Sequence, residues 1–317
     1  MNTVSHRSQS LSSPIILDGI ARTGKFFLGK VFCGFEGVEY FQYVSMIEQV
    51  PYLHKLGFID ESAAISLLQV NIDEHCYNMQ IGRNINLRLD DGSSVPNSLE
   101  SEVYKNRSIS NINKELIVKQ CADRFSPFIT HETFPQIQLF FKAFKEIKVI
   151  SLKRHPIDVV HSWLIRGWGN RFENSDIFAF VPLIENNNLI FPWYVNGWEK
   201  EYHNISEAEK IIKCISVLMD HEKQAYKNLS LNNRKKVFFV RYEDLVERPE
   251  NELHKIGKFV GKKTSNRMHK ILKNEKCPNN ISLKIRKEKM RDISNKASNK
   301  YIDLLLDISC IYESNLP

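Results

Sequence analysis

Three short apolar runs, residues 14–17 (PIIL), 147–152 (IKVISL) and 237–240 (VFFV), each give way within a few residues to a stretch of helical periodicity. Runs this short, with no polar residue on alternate positions, read as strands buried on both faces, and such a sheet needs helices on each side. Strand followed by helix, three times over, predicts an α/β fold in which a P-loop-like parallel β-sheet is flanked by helices on both faces. The second run passes through Arg154-His155-Pro156 into a helical stretch, and Pro156 suits a first helical turn. The third leads to a helix closed by Gly261. Further helices are expected around 61–77, 135–144, 207–229 and 299–312.

At 317 residues the chain suits one elaborated domain, expected over 14–317 after a polar, disordered tail at 1–13. Within it, 84–107 reads as a polar loop region, and 273–299 as a basic segment that is either mobile or ordered by an anionic ligand. The tail has no apolar core of a secretory signal, and no run approaches 18 apolar residues, so a cytoplasmic protein with no transmembrane segment is expected. Six cysteines are scattered with no CxxC pair, which predicts buried, reduced thiols and neither a zinc site nor a disulfide scaffold. The net charge of +7 suits an anionic ligand but is too small an excess to predict nucleic-acid binding.

The first strand breaks into Gly19-Ile20-Ala21-Arg22-Thr23-Gly24-Lys25-Phe26, which fits most of the GxxxxGK[ST] phosphate loop. The departure is Phe26, which stands where a Ser or Thr would hold magnesium, so no metal is expected in the chemistry. Backbone N–H groups at a helix start still attract an anion, and Arg22 and Lys25 add charge there. The loop alone is as well explained by an ordinary tight turn. A second anchor is Arg154 with Ser162, eight positions apart across a strand-to-helix junction, where a guanidinium fork and a hydroxyl can meet one phosphate.

Together these segments resemble the sulfotransferases that use 3′-phosphoadenosine-5′-phosphosulfate (PAPS) and release 3′-phosphoadenosine-5′-phosphate (PAP). Gly19–Leu28 is similar to that family's GxPRSGTTWL loop for the 5′-phosphosulfate, with Ala21, Lys25 and Phe26 departing from it. Arg154–Ser162 is similar to its RNPxDVxxS segment for the 3′-phosphate, and residues 240–261 resemble the strand and helix beyond the nucleotide site. The resemblance implies a nucleotide donor bound by Arg22, Thr23, Gly24, Lys25, Phe26, Phe27, Arg154, Ser162 and Tyr242. In that picture Arg22 and Lys25 meet the charge on the leaving phosphate, and Phe27 and Tyr242 lie near the adenine. It further implies that Arg286, Lys287 or Lys289 could clamp the 3′-phosphate, although a solvated charge run explains them as well.

The acceptor hydroxyl needs a base. His131, expected at a strand end 23 residues before Arg154, matches the family's histidine and is preferred, since imidazole titrates near neutral pH. Glu132 is the alternative, and neighbours on an extended strand should not both face the site. His155 and His161 are poorer placed. The segment 82–95 (GRNINLRLDDGSSV) resembles acceptor-side insertions of glycan sulfotransferases, and Trp163, Trp168, Trp193 and Trp198 offer stacking faces, which points to a carbohydrate acceptor. A small phenol or alcohol also fits. Two rivals stay open at this point: a P-loop kinase or NTPase, and a non-catalytic binding protein with a degenerate sulfotransferase fold.

Overall fold

The computed structural model of the chain describes residues 4, 5, 11, 13–173 and 180–314. Its strands in chain order are β1 (Ser13–Asp18), β2 (Gln42–Tyr43), β3 (Phe125–Ile129), β4 (Lys148–Lys153), β5 (Leu183–Asn186), β6 (Leu189–Pro192) and β7 (Val237–Arg241). Five of them form one sheet, in the order β2-β3-β1-β4-β7, and every neighbouring pair is parallel. The expected α/β architecture is thus the observed one. β1 lies in the middle, with Ile16 in register with Phe128 on one side and Val149 on the other.

Alternate side chains of these strands enter different cores, as a doubly covered sheet requires. Ile15, Leu17, Ile129, Ile150, Leu152 and Val240 pack with helices α1 (Lys25–Phe32) and Pro249–Val260. Ile16, Phe128 and Val149 pack with α2 (Ser45–Lys55), α3 (Glu61–Ile81) and the Ile137–Ala143 helix. A third core joins the helices Pro156–Leu164, Glu207–Lys227 and Asn299–Ser314. Ile15, Ile16 and Leu17 are fully buried, each contributing about 1.5–3 kcal/mol.

Several local expectations change. β1 begins at Ser13, and Leu11 donates its N–H to Asp73 Oδ1 at 2.8 Å, so these two residues belong to the folded body and not to a disordered tail. Residues 1–3, 6–10 and 12 of that expected tail lie outside the described residues. The stretch 84–107 is not loop throughout: it holds a 3-10 turn at Val95–Asn97 and the start of the Ser101–Ile109 helix. Arg107 of that helix donates twice to buried Glu39, at 2.9 and 3.0 Å, and such a pairing draws a polar segment onto the body. The basic 273–299 stretch contains the Leu283–Ser294 helix, capped by Ser282. It needs no anionic ligand for order, because Asp158 of the Pro156 helix accepts from Arg286 (3.0 Å) and Lys289 (2.5 Å).

β5 and β6 pair only with each other, as a hairpin whose turn residues Asn187 and Asn188 both have positive φ. Five of the six cysteines are buried or partly buried and none of the six forms a disulfide; Cys310 is exposed. Among the described residues, no helix is long and apolar enough to cross a membrane.

Candidate active site

In an open parallel sheet the loops leaving the carboxyl ends of neighbouring strands meet at one edge. Here the loops after β1, β3, β4 and β7 do so, which brings together residues more than 200 positions apart. Asp18, the last residue of β1, ties two of these loops. Its carboxylate accepts from Thr130 Oγ1 (2.7 Å) and from the N–H groups of Thr133 and Phe134 (3.1 Å each).

The phosphate loop closes on Gly24, which caps α1 with φ 103°, a backbone conformation that a side chain disfavours. A Cβ there would also stand 2.6 Å from the Tyr242 ring. Thr23 turns its hydroxyl inward onto Ile20 O at 2.8 Å and is buried. Lys25 behaves likewise: the residue is 3% exposed and its ammonium donates to Gly19 O (2.5 Å) and Ile20 O (2.9 Å). Burial lowers its pKa, with the charges of Glu132 and Asp18 opposing. Lys25 thus braces the loop from within, and Arg22, with φ 73°, is the loop's exposed cation. Phe26 sets its ring edge-on to Phe41 at 5.7 Å, so an aromatic contact fills the position of a magnesium-binding hydroxyl.

The second anchor meets the first. Arg154 donates to Arg22 O at 3.0 Å, and Arg22 Nε lies 3.4 Å from Ser162 Oγ. Arg166, which the motif reading did not single out, donates through Nη1 to Ser162 O (2.8 Å) and Oγ (3.0 Å). Burial lowers the Arg22 pKa, and the like charges of Arg166 and Arg154 lower it further. Tyr242 begins the Tyr242–Glu247 helix directly after β7. Its ring lies 4.4 Å beneath the Arg154 guanidinium and 6.2 Å from Phe27, edge to face.

His131 lies two residues beyond the end of β3. Glu48 of α2 holds it, accepting from the His131 backbone N–H (2.5 Å) and contacting Nδ1 (2.7 Å). Tyr43 donates to the other Glu48 oxygen at 3.0 Å and meets the imidazole edge-on at 5.6 Å. A hydrogen on Nδ1, shared with Glu48, leaves Nε2 as the accepting nitrogen. Glu132 does not point away as strand alternation predicts. Its φ of 53° leaves the extended region, and its carboxylate accepts from Ala21 N at 2.5 Å. Burial pushes this carboxyl up, against the lowering charges of His131 and Lys25. Both residues face one cleft.

That cleft, about 500 Å³, is lined by Arg22, Gly24, Lys25, Phe26, Phe27 and Tyr242 at one end, with Arg154. His131, Glu132, Glu48 and Tyr52 line it too, with an aromatic wall of Trp163, Trp168, Phe172, Phe180 and Trp193. Trp163 donates to Ala21 O at 2.9 Å, and Trp193 stacks on Tyr52 at 5.1 Å. Residues expected at the site but placed elsewhere are instructive. Residues 82–95 do not line the cleft; Asp90, Asp91 and Gly92 border a separate cavity beside α1. Trp198 packs on Tyr202 outside it. His155 is buried as the cap of the Pro156 helix and bonds Glu313 at 2.9 Å, while His161 faces Asp292 at 3.4 Å. Arg286 and Lys289 are occupied by Asp158, and Lys287 is exposed. Glu48 carries no signal in the sequence, since its partner is 83 residues away; Arg166 does, as the residue four beyond Ser162.

Compared with known proteins, residues 13–302 match the sulfotransferase domain family. The sulfotransferase domain from the curacin biosynthetic pathway superposes with a TM-score of 0.50 at 12% identity, covering 98% of this chain and 100% of its own. The sulfotransferase domain of the Synechococcus PCC 7002 olefin synthase gives 0.45 at 14%, with 100% of both chains covered. A mouse sulfotransferase complexed with PAP gives 0.40 at 14%, over 96% of this chain and 89% of that one. The first likeness is one of fold. No curated protein matches by sequence.

Proposed function

From the premise that the chain belongs to the sulfotransferase domain family, and is a sulfotransferase, we propose that it takes a sulfuryl group from PAPS to a hydroxyl of a carbohydrate. The observation that carries the donor assignment is the convergence of Arg22 with Arg154 and Ser162, 132 and 140 residues further along the chain, beside an aromatic pair. A nucleotide with anionic groups at both ends of its ribose fits this chemistry: loop N–H groups and Arg22 for one end, Arg154 and Ser162 for the other, Phe27 and Tyr242 for the base. PAPS supplies an activated sulfuryl group and a phosphate leaving group. Arg22 offsets charge at the loop, and Lys25 keeps the loop's shape by holding its carbonyls. His131, kept in one tautomer by Glu48, takes the acceptor proton at Nε2. Phe26 provides no metal ligand, which argues against a kinase or NTPase reading.

The aromatic wall of Trp163, Trp168 and Trp193 supports an acceptor with flat apolar faces, as sugar rings have. A phenol or simple alcohol is the second reading, favoured by the absence of residues 82–95 from that wall. We propose further that residues 14–317 act as one domain, which the protein uses in the cytoplasm. Calorimetric titration with PAP, without magnesium, tests the donor assignment, with ATP as control. Micromolar binding of PAP is expected; binding of ATP alone, and only with magnesium, would restore the kinase reading. A screen of sugars against phenols then separates the two acceptors.

A further inference from the structure

Arg22 and Arg166 flank the Ser162 hydroxyl, Arg154 joins them through Arg22 O, and none of the three is ion-paired with a carboxylate among the described residues. Such a group is costly unless an anion joins it, because each guanidinium disfavours its neighbours' charge. Asp158, Ser162 and Arg166 recur at intervals of four, which sets them along one edge of the Pro156 helix and the turn that follows it, with Arg154 just ahead of the helix cap His155. Asp158, the acid of that edge, is already satisfied by Arg286 and Lys289. What remains is a hydroxyl flanked by guanidiniums. The C-terminal basic helix has meanwhile committed two of its cations to the protein itself.

We propose that Arg166 is a second guanidinium of the 3′-phosphate site, beside Arg154, so that the clamp on this phosphate comes from the two ends of the Pro156 helix and not from the C-terminal basic segment. This rests on the donor reading above. The Arg166 contact with Ser162 O also resembles an ordinary cap of a helix end. The two roles separate cleanly: a cap affects stability, whereas a phosphate ligand sets the preference for PAP over AMP, which differ only in the 3′-phosphate.

The test titrates wild type, Arg166→Ala, Arg166→Lys and Arg286→Ala with PAP and with AMP in one low-salt buffer, with thermal melts alongside. Arg166→Ala is expected to weaken PAP by about 10–100-fold and leave AMP within about twofold. Arg166→Lys, keeping charge but losing the fork, falls between. If Arg166→Ala lowers the melting temperature and retains the full PAP preference, the residue is a cap and the inference fails while the donor reading stands. Loss of the preference in Arg286→Ala with retention in Arg166→Ala moves the clamp to the C-terminal helix and also overturns it. A wild-type protein that binds PAP no better than AMP removes both the inference and the donor reading.

Discussion

The geometry around His131 depends on one carboxylate that does two jobs. Glu48 accepts the backbone N–H and faces Nδ1, so it fixes where the residue sits and which nitrogen is free. His131→Ala should lower kcat by about 10²–10⁴-fold while PAP affinity measured by calorimetry is unchanged. Glu48→Gln keeps the size and loses the charge. It should lower kcat with little change in KM, a split that a purely structural residue would not give. Glu132→Gln should retain turnover; a variant dead at Glu132 and active at His131 would transfer the role of base. Gly24→Ala combines a left-handed backbone with a ring 2.6 Å from the new Cβ, so loss of PAP binding is expected with little change in far-UV circular dichroism.

The element that most changes the sequence reading is the Leu283–Ser294 helix. Its sequence is basic and low in apolar residues, with Ile293 its only fully buried residue, yet it lies against the Pro156 helix. Burial opposes the charge on Asp158, but the Lys289 hydrogen bond and the charges of Lys289 and Arg286 outweigh it and hold the carboxyl below the usual aspartate range. A carboxyl with a lowered folded pKa stabilises the fold above its unfolded value, near 3.9, and that contribution is lost as pH falls through the folded value. Asp158→Asn should therefore destabilise by about 1.5–3 kcal/mol at pH 7 and much less in acid. Hydrogen exchange should show the loss first in residues 283–294. Unchanged protection there would mean that apolar contacts such as Ile293 hold the helix.

For the molecule as a whole, the edge of the sheet at β2 is pinned by Glu39, which is 1% exposed. It accepts from Arg107, Gln80 and Tyr104 and pairs with Arg124, joining the 39–41 segment to three helical regions. Burial pushes its carboxyl up, and the Arg107 and Arg124 interactions more than reverse this, leaving it lowered. Glu39→Gln removes the buried charge that two half-buried guanidiniums share and should cost about 1.5–3 kcal/mol, read as a lower urea midpoint. Because a lowered carboxyl stabilises above its unfolded pKa, near 4.3, the difference from wild type should shrink as pH falls below that value. PAP affinity of the folded variant should be retained, since this cluster lies away from the cleft.

The sequence by itself determined the parallel sheet and the glycine-bearing turn after its first strand, because each is encoded over ten residues or fewer. A short apolar run that leads through a turn into a helical stretch suits a strand of a covered sheet, and a glycine-bearing turn before a helix exposes N–H groups whatever surrounds it. Arg154 and Ser162 were legible through spacing, and His131 through a resemblance. The tertiary structure alone decided the rest. Lys25 and Thr23 turn inward because the loop's own carbonyls need donors once buried. Glu132 joins His131 in the cleft because one left-handed residue cancels strand alternation. Glu48 reaches His131, and Asp158 takes Arg286 and Lys289, across 83 and 128 positions, distances over which a sequence carries no local sign of pairing. Residues 82–95 have a composition suited to sugars yet lie outside the cleft, since composition fixes what a segment can bond and packing fixes where it stands.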